Sequence, residues 1–195
     1  MAKNLIIYYS RKGENYWSGS IKNISKGNTE IVAEFIRDAV GGDLFEVDTV
    51  KPYAEDYYVC IDEAKAELRE NARPELKKYI DSIADYDNIF VCGPCWWGTY
   101  PMAIFTQLEK LDFTGKKVMA VMTHEYSGLG SCERDLKKNM HGCEIWQRSC
   151  RTWSGCVKVG KHSFGMGKKG GLRWQNEFGL QYTARCIMLL CRKIR

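Results

Sequence analysis

Short apolar runs along the chain predict the strands of a buried sheet. Residues 3–9, 88–92 and 117–123 are apolar almost throughout, as expected for parallel strands covered on both faces. Residues 43–48 instead alternate between apolar and polar side chains, which is typical of a strand at the edge of a sheet. The pattern therefore predicts four strands, three of them central.

Segments with helical spacing separate these strands. Apolar side chains at 32, 35, 36, 39 and 40 fall on one face of a helix, with Asn28 or Thr29 as the expected N-cap and Gly41-Gly42 as the end. Charged amphipathic helices are predicted at about residues 56–71 and 74–84, and shorter helices at 102–111 and 133–138. Alternating strands and helices predict an α/β fold, a three-layer doubly wound parallel sheet.

The first strand leads into a loop suited to an anion. Ser10 follows the strand, and Gly27, Asn28 and Thr29 precede the helix, whose N-terminal amides and dipole favour negative charge. The loop has neither the G-K-[ST] ending of a Walker loop nor the G-x-G-x-x-G fingerprint of dinucleotide sites. A phosphate monoester fits it best, and the alternative is that these residues only form a turn and a cap.

The strand at residues 88–92 ends in a loop with adjacent tryptophans. Trp96 and Trp97, flanked by Gly98 and two prolines, would form a flat apolar wall for a planar aromatic ligand. The alternative is that both tryptophans belong to the core. A third loop, residues 124–131, is again rich in glycine and serine, and the three loops should converge because the carboxyl ends of parallel strands share one edge.

Charge divides the chain into two parts. Residues 1–139 hold 18 Lys/Arg and 22 Asp/Glu, net −4, whereas residues 140–195 hold 11 basic and 2 acidic residues, net +9. The length suits one domain or one domain with an appendage, so we expect a domain at 1–140 and an atypical basic, cysteine-rich tail at 141–195. The basic surplus belongs to the tail alone, and no nucleic-acid partner is predicted.

The sequence lacks apolar segments of membrane-spanning length and cysteine pairs at metal-binding spacing. No apolar run approaches the roughly 20 residues of a transmembrane helix, and the N-terminus has no secretory segment, so we expect a cytoplasmic protein without membrane contact. Its nine cysteines are then expected to be mostly reduced thiols. Cys92 and Cys95 form a lone C-x-x-C without a second pair at zinc spacing, and no metal site is predicted.

Four motifs together resemble the flavodoxin-like FMN-binding proteins, in a bacterial branch with a lengthened phosphate loop. They are Tyr-Tyr-Ser at 8–10, Gly-Asn-Thr-Glu at 27–30, Pro-x-Trp-Trp-Gly-Thr-x-Pro at 94–101 and Thr-His-x-x-Ser-Gly-Leu-Gly-Ser at 123–131. The resemblance implies strand order 2-1-3-4-5 and FMN as the cofactor. It also implies three groups of FMN-binding residues: Ser10, Lys12, Asn28 and Thr29 for the phosphate; Pro94, Trp96, Trp97, Gly98 and Thr99 on one side of the ring system; and Thr123, Ser127, Gly128 and Gly130 on the other.

The chain departs from this family after about residue 140. A fifth strand and a last helix are needed there, and residues 145–171 show neither a period of 2 nor one of 3.6. The hypothesis is a one-base slip of the reading frame near Cys143, since residues 145–153 and 164–168, read one base over, yield a plausible fifth strand and terminal helix. A gene sequence without such a fit would contradict it, and losing the strand would expose the edge of the fourth.

The function implied by the resemblance is electron transfer by an FMN-binding protein between redox partner proteins. The alternative is an NAD(P)H-dependent FMN oxidoreductase of the quinone reductase kind, in which His124 and Tyr126 would serve as proton donors. A third class, a binding module without flavin, predicts a colourless protein even after FMN is added. The sequence leaves the partner, the potential and the oligomeric state open.

Overall fold

A computed structural model describes residues 2–152 of the chain, with side chains described up to residue 145. The elements in chain order are β1 Asn4–Tyr8, β2 Gly13–Trp17, β3 Ser20–Ile24, α1 Asn28–Val40, β4 Asp43–Glu46, α2 Tyr57–Glu70, β5 Asn88–Pro94, α3 Met102–Leu108, β6 Lys117–His124, α4 Cys132–Asn139 and β7 Glu144–Thr152.

Five parallel strands form the central sheet in the order β4-β1-β5-β6-β7. Numbered by their position along the chain, the strands in this order are the second, first, third, fourth and fifth of the sheet, so the predicted order 2-1-3-4-5 is confirmed. Residues 43–48 also give the edge strand β4, as their alternating pattern predicts. The carboxyl ends of β1, β5 and β6 therefore lie side by side.

Apolar side chains of the sheet alternate between two core layers. Ile6 and Phe90 pack with Val32 and Ile36 of α1 on one face. Ile7 and Val91 pack with the side chains of α3 and of the crossover before β5 on the other. Because successive residues of a strand face opposite sides, both faces of the apolar strands are covered, and the three-layer prediction is confirmed.

The segment at residues 74–84 is irregular, and the prediction of a helix there is wrong. Leu76 pairs with Thr49 in an isolated antiparallel bridge, and Gln107 of α3 binds both the amide and the carbonyl of Ile80. These partners satisfy main-chain hydrogen-bonding groups without a helix, while Leu76 and Ile83 are still buried. The helix predicted at 56–71 does form, as α2.

A fifth strand is present, which corrects the expectation that the chain lacks one. β7 runs parallel to β6, with a register shift between Val118 and Met119. Its sequence lacks an apolar period, but an edge strand takes its main-chain partners from its neighbour whatever its side chains are. The last helix and the reading at 164–168 lie outside the described residues, and the frame hypothesis stays a prediction.

A small antiparallel hairpin, β2 and β3, occupies the lengthened loop between β1 and α1, where the sequence predicts a loop without strands. Its turn at Ser18 and Gly19 has positive φ at both residues, as two-residue hairpins require. None of the helices within residues 2–152 is long and apolar enough to span a membrane.

Candidate functional site

A side chain of the preceding loop accepts a hydrogen bond from the N-terminus of α1. Gly27 is the N-cap and makes no side-chain cap bond, so the prediction that Asn28 or Thr29 caps the helix is wrong. Instead the Ser10 hydroxyl accepts a hydrogen bond from the Glu30 amide, at 3.0 Å. A Cβ at position 27 would lie 2.0 Å from Ser10 Oγ, so this approach requires glycine.

Asn28 has a buried side chain with unused hydrogen-bonding capacity. It is 4% exposed, and neither its amide nitrogen nor its amide oxygen has a partner among the described residues. Leaving such a group unsatisfied costs about 1–3 kcal/mol, which a bound polar ligand would recover. Asn28 therefore has the property expected of a ligand-binding residue at a helix N-terminus.

Thr29 links this helix end to the fourth strand of the sheet. Its hydroxyl and that of Thr123 are 2.8 Å apart, and both side chains are buried. Ser10, Asn28, Thr29 and Thr123 are thus brought to one place. Lys12 is not: it is exposed and lines a separate depression beside Glu14 and Asp56.

The two tryptophans form the beginning of a tight turn. Trp96 and Thr99 exchange main-chain hydrogen bonds of 2.8 and 3.1 Å, and Trp97 and Gly98 between them have φ of +52° and +83°. This is a type I′ pattern, in which a bulky residue such as Trp97 is disfavoured by about 1–2 kcal/mol. Such local strain is typical of ligand-binding loops.

The environments of the two indoles differ. Trp96 packs edge-on against Tyr9 and Tyr53, with ring centroids 5.2 and 5.0 Å away. Trp97 is 48% exposed, and its Nε1 donates to the carbonyl of Ile61 in α2 at 2.8 Å. The alternative that both belong to the core therefore fails for Trp97.

The loop after β6 packs directly on the tryptophan turn. The Ser131 amide donates to the Gly98 carbonyl at 2.7 Å, and a Cβ at Gly130 would lie 2.1 Å from that oxygen. At the other end of the loop the Gly128 amide donates to His124 Nδ1 at 3.1 Å. Burial lowers the pKa of His124, so its ring is neutral and able to accept this bond.

A cleft of about 310 Å³ lies beside the turn, within the size range of small-molecule sites. Trp96, Trp97, Gly98 and Ser127 of the predicted set line it. Pro94, Thr99, Gly128 and Gly130 are not among its lining residues: Pro94 ends β5, and the other three lie in the loops after β5 and β6. The remaining lining residues were not predicted from the sequence: Arg11, Asn15, Tyr57, Cys60, Ile61, Ala64 and Cys95.

The missed residues come from the hairpin and the segment before it, from α2 and, in the case of Cys95, from the loop after β5. Arg11 directly follows Ser10, which was one available signal, but nothing in the local pattern indicates that α2 closes the cleft. A larger depression of about 490 Å³ lies between α2 and residues 72–75. It is lined by none of the three converging loops, so we place the site in the smaller cleft.

A family model for flavodoxin matches residues 19–151, well over half of the chain. The chain belongs to the flavodoxin family. Its fold is similar to that of a protein from Bacteroides uniformis described as a flavoprotein, at 26% identity, with 77% of this chain and 90% of that one covered and a TM-score of 0.61. No curated protein matches the chain.

Two further solved structures share the fold. One is a protein from Bacteroides eggerthii, also described as a flavoprotein, with 24% identity, 80% of this chain and 94% of that one covered, and a TM-score of 0.62. The other is a flavoprotein from Lactobacillus acidophilus in complex with FMN, with 23% identity, coverage of 77% and 93%, and a TM-score of 0.57.

FMN is the cofactor of the flavodoxin family, and the residues of this chain fit it. The α1 N-terminus, with Ser10 and the unsatisfied amide of Asn28, would hold the phosphate. The cleft beside Trp96 and Trp97 would receive the ring system, which supplies the redox chemistry when it is bound.

Proposed function

We propose that this protein is an electron carrier that binds FMN non-covalently and docks transiently on redox partner proteins, rather than on nucleic acid or a membrane. The observation that supports this most is an apolar surface at the cleft. Tyr58 and Val59 of α2 are 64% and 51% exposed, and the half-exposed Trp97 of the turn after β5 is bonded to the same helix through the Ile61 carbonyl. Exposed apolar patches of this kind are typical of interaction sites.

Aromatic contacts connect this surface to the cleft. Tyr57 lines the cleft, and its ring lies 5.5 Å from that of Tyr58 and 6.4 Å from that of Tyr16 on the hairpin. A partner resting on Tyr16 and Tyr58 would therefore contact the wall of the cofactor cleft. Short distances between cofactor and partner are what electron transfer requires.

The charges around this surface favour a basic partner. Glu55, Asp56 and Asp62 are exposed at the same end of α2. The opposing charges nearby are Lys65, which lies over the Trp97 ring at 4.8 Å, and Arg11 and Lys12, which line a depression with Glu55 and Asp56. Acidic groups around an apolar contact would steer a basic protein to the cleft and accelerate association at low salt.

The expected proton donors of the oxidoreductase alternative do not line the cleft. His124 has its Nδ1 engaged by the Gly128 amide, and Tyr126 is 81% exposed. A hydride-transferring enzyme would use an acid–base group beside the ring system. This placement favours the carrier over the enzyme.

The test uses cytochrome c as a basic one-electron acceptor protein. The FMN-loaded protein is reduced with dithionite and mixed with oxidised cytochrome c in a stopped-flow instrument at increasing salt. We expect rapid reduction that slows as salt rises, and no steady oxidation of NADH or NADPH with a quinone present. Steady turnover of the nicotinamide would contradict the carrier and support the oxidoreductase.

Two charge-reversal variants test where the partner protein docks. Asp62→Lys should slow cytochrome c reduction at low salt, because it places a positive charge at the expected contact. Asp81→Lys is the matched control, since Asp81 is also exposed but lies in the crossover that leads into the amino end of β5. Equal rates for the two variants would place docking elsewhere.

A further inference from the structure

Arg11 is the only residue lining the described cleft that carries a formal charge at neutral pH. The other ten lining residues are apolar, aromatic, thiol, hydroxyl or amide side chains, or glycine. Whatever occupies the cleft therefore meets one cation and no carboxylate in its wall. This asymmetry was not predicted from the sequence.

The guanidinium of Arg11 is held in a fixed position by main-chain oxygens. Its Nε donates to the Glu14 carbonyl at 2.8 Å, Nη1 to the Ala54 carbonyl at 2.9 Å and Nη2 to the Glu55 carbonyl at 2.7 Å. These bonds join the hairpin to the segment before α2. The charge is thus preorganised at the cleft and does not depend on ligand binding to order it.

Arg11 makes no close ion pair with a described carboxylate, although Glu14, Glu55 and Asp56 line the neighbouring depression that Arg11 also borders. Among residues with described side chains, the ion pairs within 4.0 Å include none with Arg11. The cleft residues respond to its field: burial raises the pKa of Cys60 to about 11 and also raises that of Tyr57, and the Arg11 charge opposes both shifts. The positive charge therefore reaches the groups that face the ligand.

We propose that Arg11 makes the bound FMN easier to reduce. This inference rests on the proposed function. Uptake of two electrons from a reductant such as dithionite and of one proton from water leaves the ring system with one more negative charge. A fixed cation in a partly dehydrated cleft binds this reduced form more tightly than the oxidised form, which raises the midpoint potential.

The test compares variants that keep or remove the charge. Arg11→Gln removes it while retaining hydrogen-bond donors, Arg11→Met is a second neutral variant should the first fail to fold, and Arg11→Lys keeps it. Arg37→Gln is the matched control, because Arg37 lies on α1 beside Asp38, outside the cleft. The midpoint potential of bound FMN is measured by equilibration with a reference dye, together with FMN affinity and the urea midpoint of the apo-protein.

We expect Arg11→Gln to lower the preference for reduced over oxidised FMN about tenfold, which for a two-electron couple corresponds to a midpoint about 30 mV lower. Arg11→Lys should retain most of the preference, and Arg37→Gln should match the unsubstituted protein. The inference is overturned if bound FMN has the same midpoint potential in all variants and loss of the Arg11 charge lowers only the urea midpoint of unfolding. Arg11 would then be only a structural link. Failure of the unsubstituted protein to bind FMN would instead overturn the proposed function.

Discussion

Two glycines of the loop after β6 offer a sharp test of how the flavin loops are held together. Gly128 and Gly130 both have positive φ, at +67° and +52°, so alanine is strained at either position, by about 1 kcal/mol. Their surroundings differ. A Cβ at Gly128 meets no heavy atom within 4 Å, whereas one at Gly130 would lie 2.1 Å from the Gly98 carbonyl oxygen.

The expected magnitudes follow from these distances. A carbon and a carbonyl oxygen ordinarily approach to about 3.3 Å, so Gly130→Ala must move the two loops apart by roughly 1 Å. That movement breaks the hydrogen bond from the Ser131 amide to Gly98, worth about 1 kcal/mol, in addition to the backbone strain. We expect Gly130→Ala to cost about 2–4 kcal/mol of unfolding free energy and Gly128→Ala about 1 kcal/mol.

Urea unfolding of the two apo-proteins and a titration with FMN, followed by the loss of flavin fluorescence, provide the measurements. Gly130→Ala should also weaken FMN binding more than Gly128→Ala does, because it displaces Gly98 and with it the tryptophan turn. Equal stability and equal affinity of the two variants would refute the reasoning, since it depends on the contact with Gly98 and not on the positive φ that both glycines share.

Two further predictions concern unsatisfied or buried groups near the site. Asn28→Ala should leave the unfolding free energy of the apo-protein unchanged or higher, because the amide it removes is buried without partners, and yet weaken FMN binding by about 10- to 100-fold; urea unfolding and FMN titration together check this. Cys60 has its pKa raised from 9 to about 11 by burial, so the folded state holds the proton more tightly than the unfolded state and stability should fall as pH rises from about 9 to 11. Cys60→Ala should flatten this fall in urea midpoints measured across that range, and an unchanged slope would contradict it.

The charge distribution of the sequence places the boundary between the domain and the basic tail at residue 140, but the central sheet extends past that residue. β7 pairs with β6 although its residues show no strand period. The main-chain hydrogen bonds to β6 form whatever the side chains are, so β7 forms without the alternation that marks the other edge strand, β4. The same reason explains the non-helical segment at 74–84, whose apolar residues have a helical spacing but whose main chain is bound by Gln107 and by residues 48–50.

The sequence by itself determined the elements whose signals are local. Burial on both faces requires the apolar runs of β1, β5 and β6, and burial on one face requires the apolar stripe of α1. The chemistry of Ser10, Trp96 and the glycine-rich loop after β6 is visible in the residue types. Parallel strands then require these loops to meet at one edge. That much of the site needs no knowledge of long-range contacts.

Only the tertiary structure decided which residues complete the cleft. Arg11 and Tyr57 come together because main-chain carbonyls before α2 accept hydrogen bonds from a side chain more than 40 residues away along the chain. The position of Trp97 likewise depends on the Ile61 carbonyl of α2. Hydrogen bonds between distant main-chain and side-chain groups depend on how the elements pack, and packing is a property of the whole fold rather than of any local pattern.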